Sequence, residues 1–341
     1  MRFLKGSIFL AVAFFAPYIA SAHEVYVLDN ATIMRDIVSV SPNPFSIVPS
    51  HQYEFIFWGF IAFVVISTVF FMSITHRLEE LFHPFLQRIK PWAPLVARVT
   101  LGSCLIFCAY NGALFGPELP LHTLVPPQYI SIFELALYAT GILIFLGFLT
   151  RLAAAVVILL FAIGTYSYTL YMLTYANYFG EMLVVLLLGG GKWSLDSLFE
   201  LNNPLRAKRF EPYAFLALRV LFGISVAFAS FFAKFLHSDL ALDTISRYHL
   251  TNFFHFEPLF IVLGACIIEI LMGIFFALGF EVRHTSLFFL FWITLSLFYF
   301  GESVWPHLIL VGVNLAIFMY GYDRLTMEGR LFSRGKYEPF L

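Results

Sequence analysis

Long apolar runs separated by short polar stretches make up most of the chain. Beyond residue 52, nine runs cover roughly 53–74, 95–112, 129–149, 152–172, 178–190, 213–235, 258–280, 284–300 and 304–322. An α-helix rises 1.5 Å per residue, so about 20 apolar residues cross about 30 Å of hydrocarbon. The pattern predicts nine transmembrane helices, the fifth the shortest. Between the first two runs, Leu78, Leu81, Phe82, Phe85, Leu86 and Ile89 recur at helical spacing beside Arg77, Glu79, Glu80, Arg88 and Lys90. That predicts an amphipathic helix over 75–94, lying on the inner surface.

The first 22 residues read as a signal peptide: Arg2 and Lys5, an apolar run from Ile8 to Phe15, then Ala20-Ser21-Ala22. Pro17 and the small-residue ending favour cleavage over an uncleaved helix. His23 would then begin the mature chain, with 23–52 outside. Basic residues set the orientation. The inner connections hold Arg77, Arg88, Lys90, Arg151, Lys192, Arg206, Lys208, Arg209 and Arg283, and the tail adds Arg324, Arg330, Arg334 and Lys336. Outside remain Arg35, Arg247 and Lys234 at a helix end. The positive-inside rule thus places a multi-pass protein in the plasma membrane, N-terminus outside and C-terminus inside.

Composition agrees. With 60% hydrophobic residues, 43 Phe and 12% charge, the chain carries more apolar surface than a soluble core can bury. A net charge of −1 offers no pull toward nucleic acid. Cys104, Cys108 and Cys266 all lie in apolar runs, which argues against a disulfide framework and suits packing.

Three motifs occur twice in the same order: Arg-Val-x-x-Gly at Arg98 and Arg219, Gly-x5-Gly-x3-Arg at Gly141 and Gly273, and Tyr-Phe-Gly-Glu at Tyr178 and Tyr299. This predicts a duplicated unit of four spans. An even number of crossings makes the copies parallel, related by an axis along the membrane normal. The expected fold is an all-α membrane protein, two parallel four-helix bundles plus one extra N-terminal transmembrane helix. Its parts are a signal (1–22), an outer segment (23–52), a transmembrane helix (53–74), the amphipathic inner linker (75–94), repeat one (95–196), a basic linker (197–212), repeat two (213–325) and an inner tail (326–341).

The motifs resemble the DoxX family. Glu269, Gly273, Gly279 and Arg283 are similar to its second helix, and Arg219, Gly223 and Lys234 to its first. In repeat one, Gly147-Phe148-Leu149-Thr150-Arg151-Leu152-Ala153 and Gly190-Gly191-Lys192-Trp193-Ser194-Leu195-Asp196 resemble other family segments. The resemblance covers about 95–325 and implies a four-helix membrane bundle linked to quinone redox work, as in the sulfur-oxidation system of the family's namesake. Most members have no assigned chemistry.

Helical rise converts the motifs into heights. Lys234 stands ~22 Å above Arg219, Glu269 ~21 Å above Arg283, and His307 ~24 Å above Asp323. The three should meet at one depth, with Tyr299 and Glu302 near. The matching positions in repeat one are read as Ala113, Leu137 and Leu186, so the layer is absent there as a whole. Glu134, Glu181 and Asn111 are secondary polar positions. Lys234 and Glu269 are either a structural ion pair or part of a ligand or proton site. With His307 and Glu302 they could relay protons to a quinone headgroup.

Seven histidines fall on or near the outer face: His23, His51, His122, His237, His249, His255 and His307, beside Asp239, Asp243 and Glu257. No recognised metal-ligand spacing links them, so His23, His237, His249 and His255 are weak metal candidates. No catalytic, haem, flavin or iron-sulfur motif is present. Two functional readings follow. One is an accessory subunit of quinone-linked redox chemistry, whose electrons a partner protein supplies; the other is a carrier or receptor for a small molecule, lipid or exported protein.

Overall fold

The computed structural model describes residues 28, 30–201, 207–323 and 325–331; the signal segment, His23, Arg206, Arg324, Arg334 and Lys336 lie outside the described residues. Eleven helices frame the argument: α1 (Asn30–Val38), α2 (Phe55–Ile89), α3 (Ala93–Tyr110), α4 (Pro127–Leu146), α5 (Thr150–Tyr168), α6 (Ala176–Leu188), α7 (Ala214–Ser230), α8 (Ser238–Arg247), α9 (Pro258–Leu278), α10 (Val282–Phe300) and α11 (Val304–Tyr320). Local chemistry fixes several ends. Pro127 and Pro258 start α4 and α9, where the missing N–H costs nothing. Gly147 and Gly279 end them, each at φ 70°.

Among the described residues, six helical segments are long and apolar enough to cross a bilayer: Leu81–Tyr110, Pro127–Leu146, Thr150–Leu188, Lys208–Leu236, Pro258–Leu278 and Val282–Phe300. Val304–Tyr320 is a shorter apolar helix. The chain is a polytopic membrane protein. The run Thr150–Leu188 is not one crossing: it is broken by a 3-10 turn at Thr169–Tyr175, and Arg151 Nε donates to the Leu186 carbonyl at 2.9 Å. The chain must double back for that bond to form. The split of 53–74 from 75–94 is corrected, since α2 runs unbroken for 35 residues through Pro84. At ~52 Å it exceeds the hydrocarbon thickness.

Close helix contacts explain the glycine motifs. A Cβ on Gly102 of α3 would fall 2.8 Å from the Gly141 carbonyl of α4, and one on Gly273 of α9 would fall 2.6 Å from the Gly223 carbonyl of α7. Only glycine permits that approach. In membranes such small-residue contacts supply packing that the hydrophobic effect cannot. Across the middle, α3 packs on α11 and α6 on α7.

The motif arginines serve helix ends. Arg98 donates to the carbonyls of Gly190 (2.5 Å) and Trp193 (2.9 Å), and Arg219 to those of Phe276 (2.6 Å) and Ala277 (2.9 Å). Arg283 reaches the Phe318 carbonyl at 3.1 Å. Arg219 and Arg283 satisfy carbonyls that a helix C-terminus leaves without partners and complement its negative dipole end, while Arg98 ties down the segment just past α6.

One motif match dissolves. Tyr178 and Glu181 lie within α6, whereas Tyr299 is in the last turn of α10 and Glu302 follows it. The Tyr-Phe-Gly-Glu match therefore joins different elements. Arg151 bonds Leu186 and Arg283 bonds Phe318; counted back from those two carbonyls, His307 falls level with Tyr175 rather than with Leu186.

Candidate functional site: a polar cavity among aromatic helices

Lys234 lies on a π-helical turn, Phe231–Leu236, that continues α7. Such widened turns change a helix's facing and recur at functional sites. Here the lysine is buried, its Nζ 2.8 Å from a Glu269 carboxylate oxygen on α9. Both line a cavity of about 100 Å³, which has room for several waters or one ring-sized group.

His307 of α11 lines the same cavity. Its Nδ1 is 3.0 Å from the Ser303 carbonyl and therefore carries the donated proton. Nε2 is 3.1 Å from Glu302 Oε2, and both side chains are almost fully buried. That contact is attractive only with a proton between them. Ser296 Oγ donates to the other Glu302 oxygen at 3.1 Å.

Segments before residue 200 also build this cavity, through Glu118, Tyr171, Thr174, Tyr175, Asn177 and Tyr178. Glu118 accepts from the hydroxyl of Tyr175 and, at 3.5 Å, from that of Tyr171. The loop that holds Glu118 folds inward. Leu114, Phe115, Leu119 and Leu121 are buried in the core, Leu121 N donates to the Gly112 carbonyl, and an isolated bridge joins Ala113 to Pro120. Irregular backbone is stable when covered by protein in this way. A linear reading takes 113–128 for an outer loop and misses Glu118; the signal was its apolar content, Ala113-Leu114-Phe115 and Leu119-Pro120-Leu121.

Tyr299 does not join the layer. Its hydroxyl donates to the Tyr248 carbonyl at 3.0 Å, and the residue is 38% exposed. Glu302 stands behind His307 and is not part of the wall. Of the secondary positions, Asn111 is exposed and donates to the Phe107 carbonyl at 2.7 Å, Glu134 is half-buried, and Glu181 is buried on α6.

A second polar cluster ties the segment before α2 to the loop around α8. Arg35 pairs with Asp36 and Asp243, Ser39 and Ser41 donate to Asp239, and Ser238 donates to the Pro42 carbonyl. His51 is held between Glu54 (2.8 Å) and Glu257 (2.9 Å), and these hydrogen bonds, Glu54's first, raise its pKa above the usual histidine value. His237 shifts the other way, lowered by burial. Among the described residues no group of three or more His, Cys, Asp or Glu is gathered that could hold a metal ion, and His237, His249 and His255 are not brought into one.

The chain was compared with protein-family models, curated proteins and solved structures, and none of them matches it.

Proposed function

We propose that the cavity receives the polar head of an amphipathic redox ligand, a quinone, and that the chain is an accessory DoxX-type subunit of a quinone-linked membrane system. One observation carries this reading: the buried Lys234–Glu269 pair and His307 open into the same cavity as Glu118, Tyr171 and Tyr175. A quinone's oxygens accept hydrogen bonds and a quinol's hydroxyls donate them. Lys234 and the tyrosines are donors and the carboxylates acceptors, so both redox forms find partners. Phe232, Phe289 and Trp292 supply aromatic walls for a flat ring. Glu269 keeps Lys234 charged, and His307 with Glu302 takes up protons that a quinol sheds on oxidation. A partner protein supplies or removes the electrons.

The same reading takes the two helix sets, α3–α6 and α7 with α9–α11, as parallel copies of one four-helix unit. The paired glycine contacts and arginine caps support it. So does a shared closing contact: Asp196 N donates to the Gly147 carbonyl as Glu328 N does to that of Gly279. A cleaved signal and an N-out, C-in orientation in the plasma membrane complete it, on the strength of the basic-residue distribution.

The test is titration of purified protein in lipid with a water-soluble quinone analogue. Wild type should bind, His307→Leu, which removes a wall residue and strips Glu302 of its buried partner, should bind about tenfold or more weakly, and Leu186→Ala, remote from the cavity, should bind as wild type. Equal affinity in all three, or none in any, would remove this site and favour the carrier reading.

A further inference from the structure

Helices α3 and α6 meet along a stripe of groups able to hold a proton. On α3, Thr100, Cys104 and Cys108 recur every fourth residue and so share one face. On α6, Tyr178 and Glu181 are one turn apart. Cys108 Sγ lies 3.9 Å from the Tyr178 hydroxyl, and Thr100 Oγ1 lies 3.1 Å from Glu181 Oε1. Tyr178 lines the cavity. The stripe therefore starts at the cavity, at Tyr178 and Cys108, and ends at Glu181 and Thr100, ~12 Å further along the α3 axis, with Cys104 midway.

Glu181 is completely buried, and its Oε2 has no hydrogen-bond partner among the described residues. The elements packed on α6 leave it without a cation. From α3 come Cys104, Cys108 and Arg98; from α5, Arg151, Tyr166 and Tyr168; from α7, Arg219; from α11, His307 and Tyr320; from the turn Thr169–Tyr175, Tyr171 and Tyr175; and from the turn Lys208–Tyr213, Lys208, Arg209, Glu211 and Tyr213. Arg98, Arg151 and Arg219 are bonded to carbonyls at helix ends, and the nearest of these on α6, Leu186, is five residues past Glu181. His307 is paired with Glu302. A carboxylate in this position would carry a full charge without a counter-ion, the most costly state for a group at membrane depth. One proton on Oε2 removes that charge and leaves Oε1 to accept from Thr100.

We propose that Glu181 is a proton-binding site inside the membrane, which holds its carboxyl as the neutral acid and exchanges that proton with the cavity through Tyr178. Cys104, midway between Thr100 and Cys108 on the same face of α3, would take the Glu181 proton on its sulfur and pass its own thiol proton to the Tyr178 oxygen, which releases its hydroxyl proton toward the cavity, with no redox change. The site stands whether or not the cavity takes a quinone.

The experiment is infrared spectroscopy of the full chain in lipid at neutral pH, reading the C=O stretch of protonated carboxyls. Wild type minus Glu181→Gln should show one such band, and glutamine's shape and neutrality suit the site. Thr100→Val keeps Glu181 and should move the same band to higher frequency, which identifies it independently of the first variant. On transfer to D₂O, Tyr178→Phe should slow the band's isotope shift by about tenfold or more, the effect of one lost relay step on the barrier. Absence of a band that either Glu181→Gln removes or Thr100→Val moves would overturn the protonated site. Exchange in Tyr178→Phe at the wild-type rate would overturn the route to the cavity. Neither result depends on quinone binding, so a failure here is distinct from a failure of the ligand reading.

Discussion

Lys234 and Glu269 stand 2.8 Å apart on α7's π-turn and α9, each side chain only 8% exposed. Removing one member leaves the other charged and buried, a loss of about 3–5 kcal/mol, whereas removing both leaves no charge to solvate. Lys234→Ala and Glu269→Ala are each expected to lower thermal stability in detergent sharply. Lys234→Ala with Glu269→Leu, the residues read at Ala113 and Leu137, should regain most of it. Additive losses in that cycle would mean that the two side chains are not coupled.

How much of this was legible in the sequence depends on what each feature required. Counting rise per residue puts Lys234 and Glu269 near one depth, and the two are in contact; only Lys234 shares a continuous helical run with its arginine, because Arg283 lies on α10 past the Gly279 turn. The glycine and arginine motifs were equally readable, since a close helix contact admits only small residues and an arginine at a helix end meets carbonyls. Glu118 was hidden. Its position depends on the loop's own backbone bonds, which carry no periodic signal. The Tyr-Phe-Gly-Glu match misled for a compositional reason: with 43 Phe and 17 Tyr, short aromatic strings recur by chance. That register also set Leu186 level with His307, whereas counting from the Leu186 and Phe318 carbonyls that the arginines bind sets Tyr175 there.

Gly223 and Gly264 separate packing from helix propensity. A Cβ on Gly223 would meet the Gly273 carbonyl and Ala277, whereas nothing lies within 4 Å of one on Gly264. Gly223→Ala is expected to destabilise by about 1–3 kcal/mol through overpacking. Gly264→Ala should fall within about 0.5 kcal/mol of wild type or slightly above it. Thermal unfolding in one detergent compares them; equal effects would show that the α7–α9 contact is not tight.

The His51 clasp should respond to pH. Its pKa is raised above the ordinary 6.5 by Glu54 and then Glu257, so the protonated ring favours the docked segment. For a group raised on folding, the contribution is complete below the ordinary value and disappears as pH rises through the raised one. Hydrogen exchange of residues 44–54 should therefore be slow at mildly acidic pH and quicken above neutrality, beyond the intrinsic rate change. His51→Gln should flatten that dependence. Protection that is independent of pH in the wild-type chain would rule the clasp out.

Orientation is testable at three exposed positions. His122 follows α3, His249 follows α8, and Arg209 precedes α7. The span order places His122 and His249 on one side of the bilayer and Arg209 on the other, and the basic residues assign the Arg209 side to the cell interior. Single cysteines at 122 and 249 should react with an impermeant thiol reagent on intact cells, and one at 209 only after the membrane is opened. The native cysteines are all buried, so they should contribute little background. Reaction at 209 alone would invert the orientation, and reaction at 122 and 209 together would overturn the three crossings, α4, α5 and α6, that separate those positions.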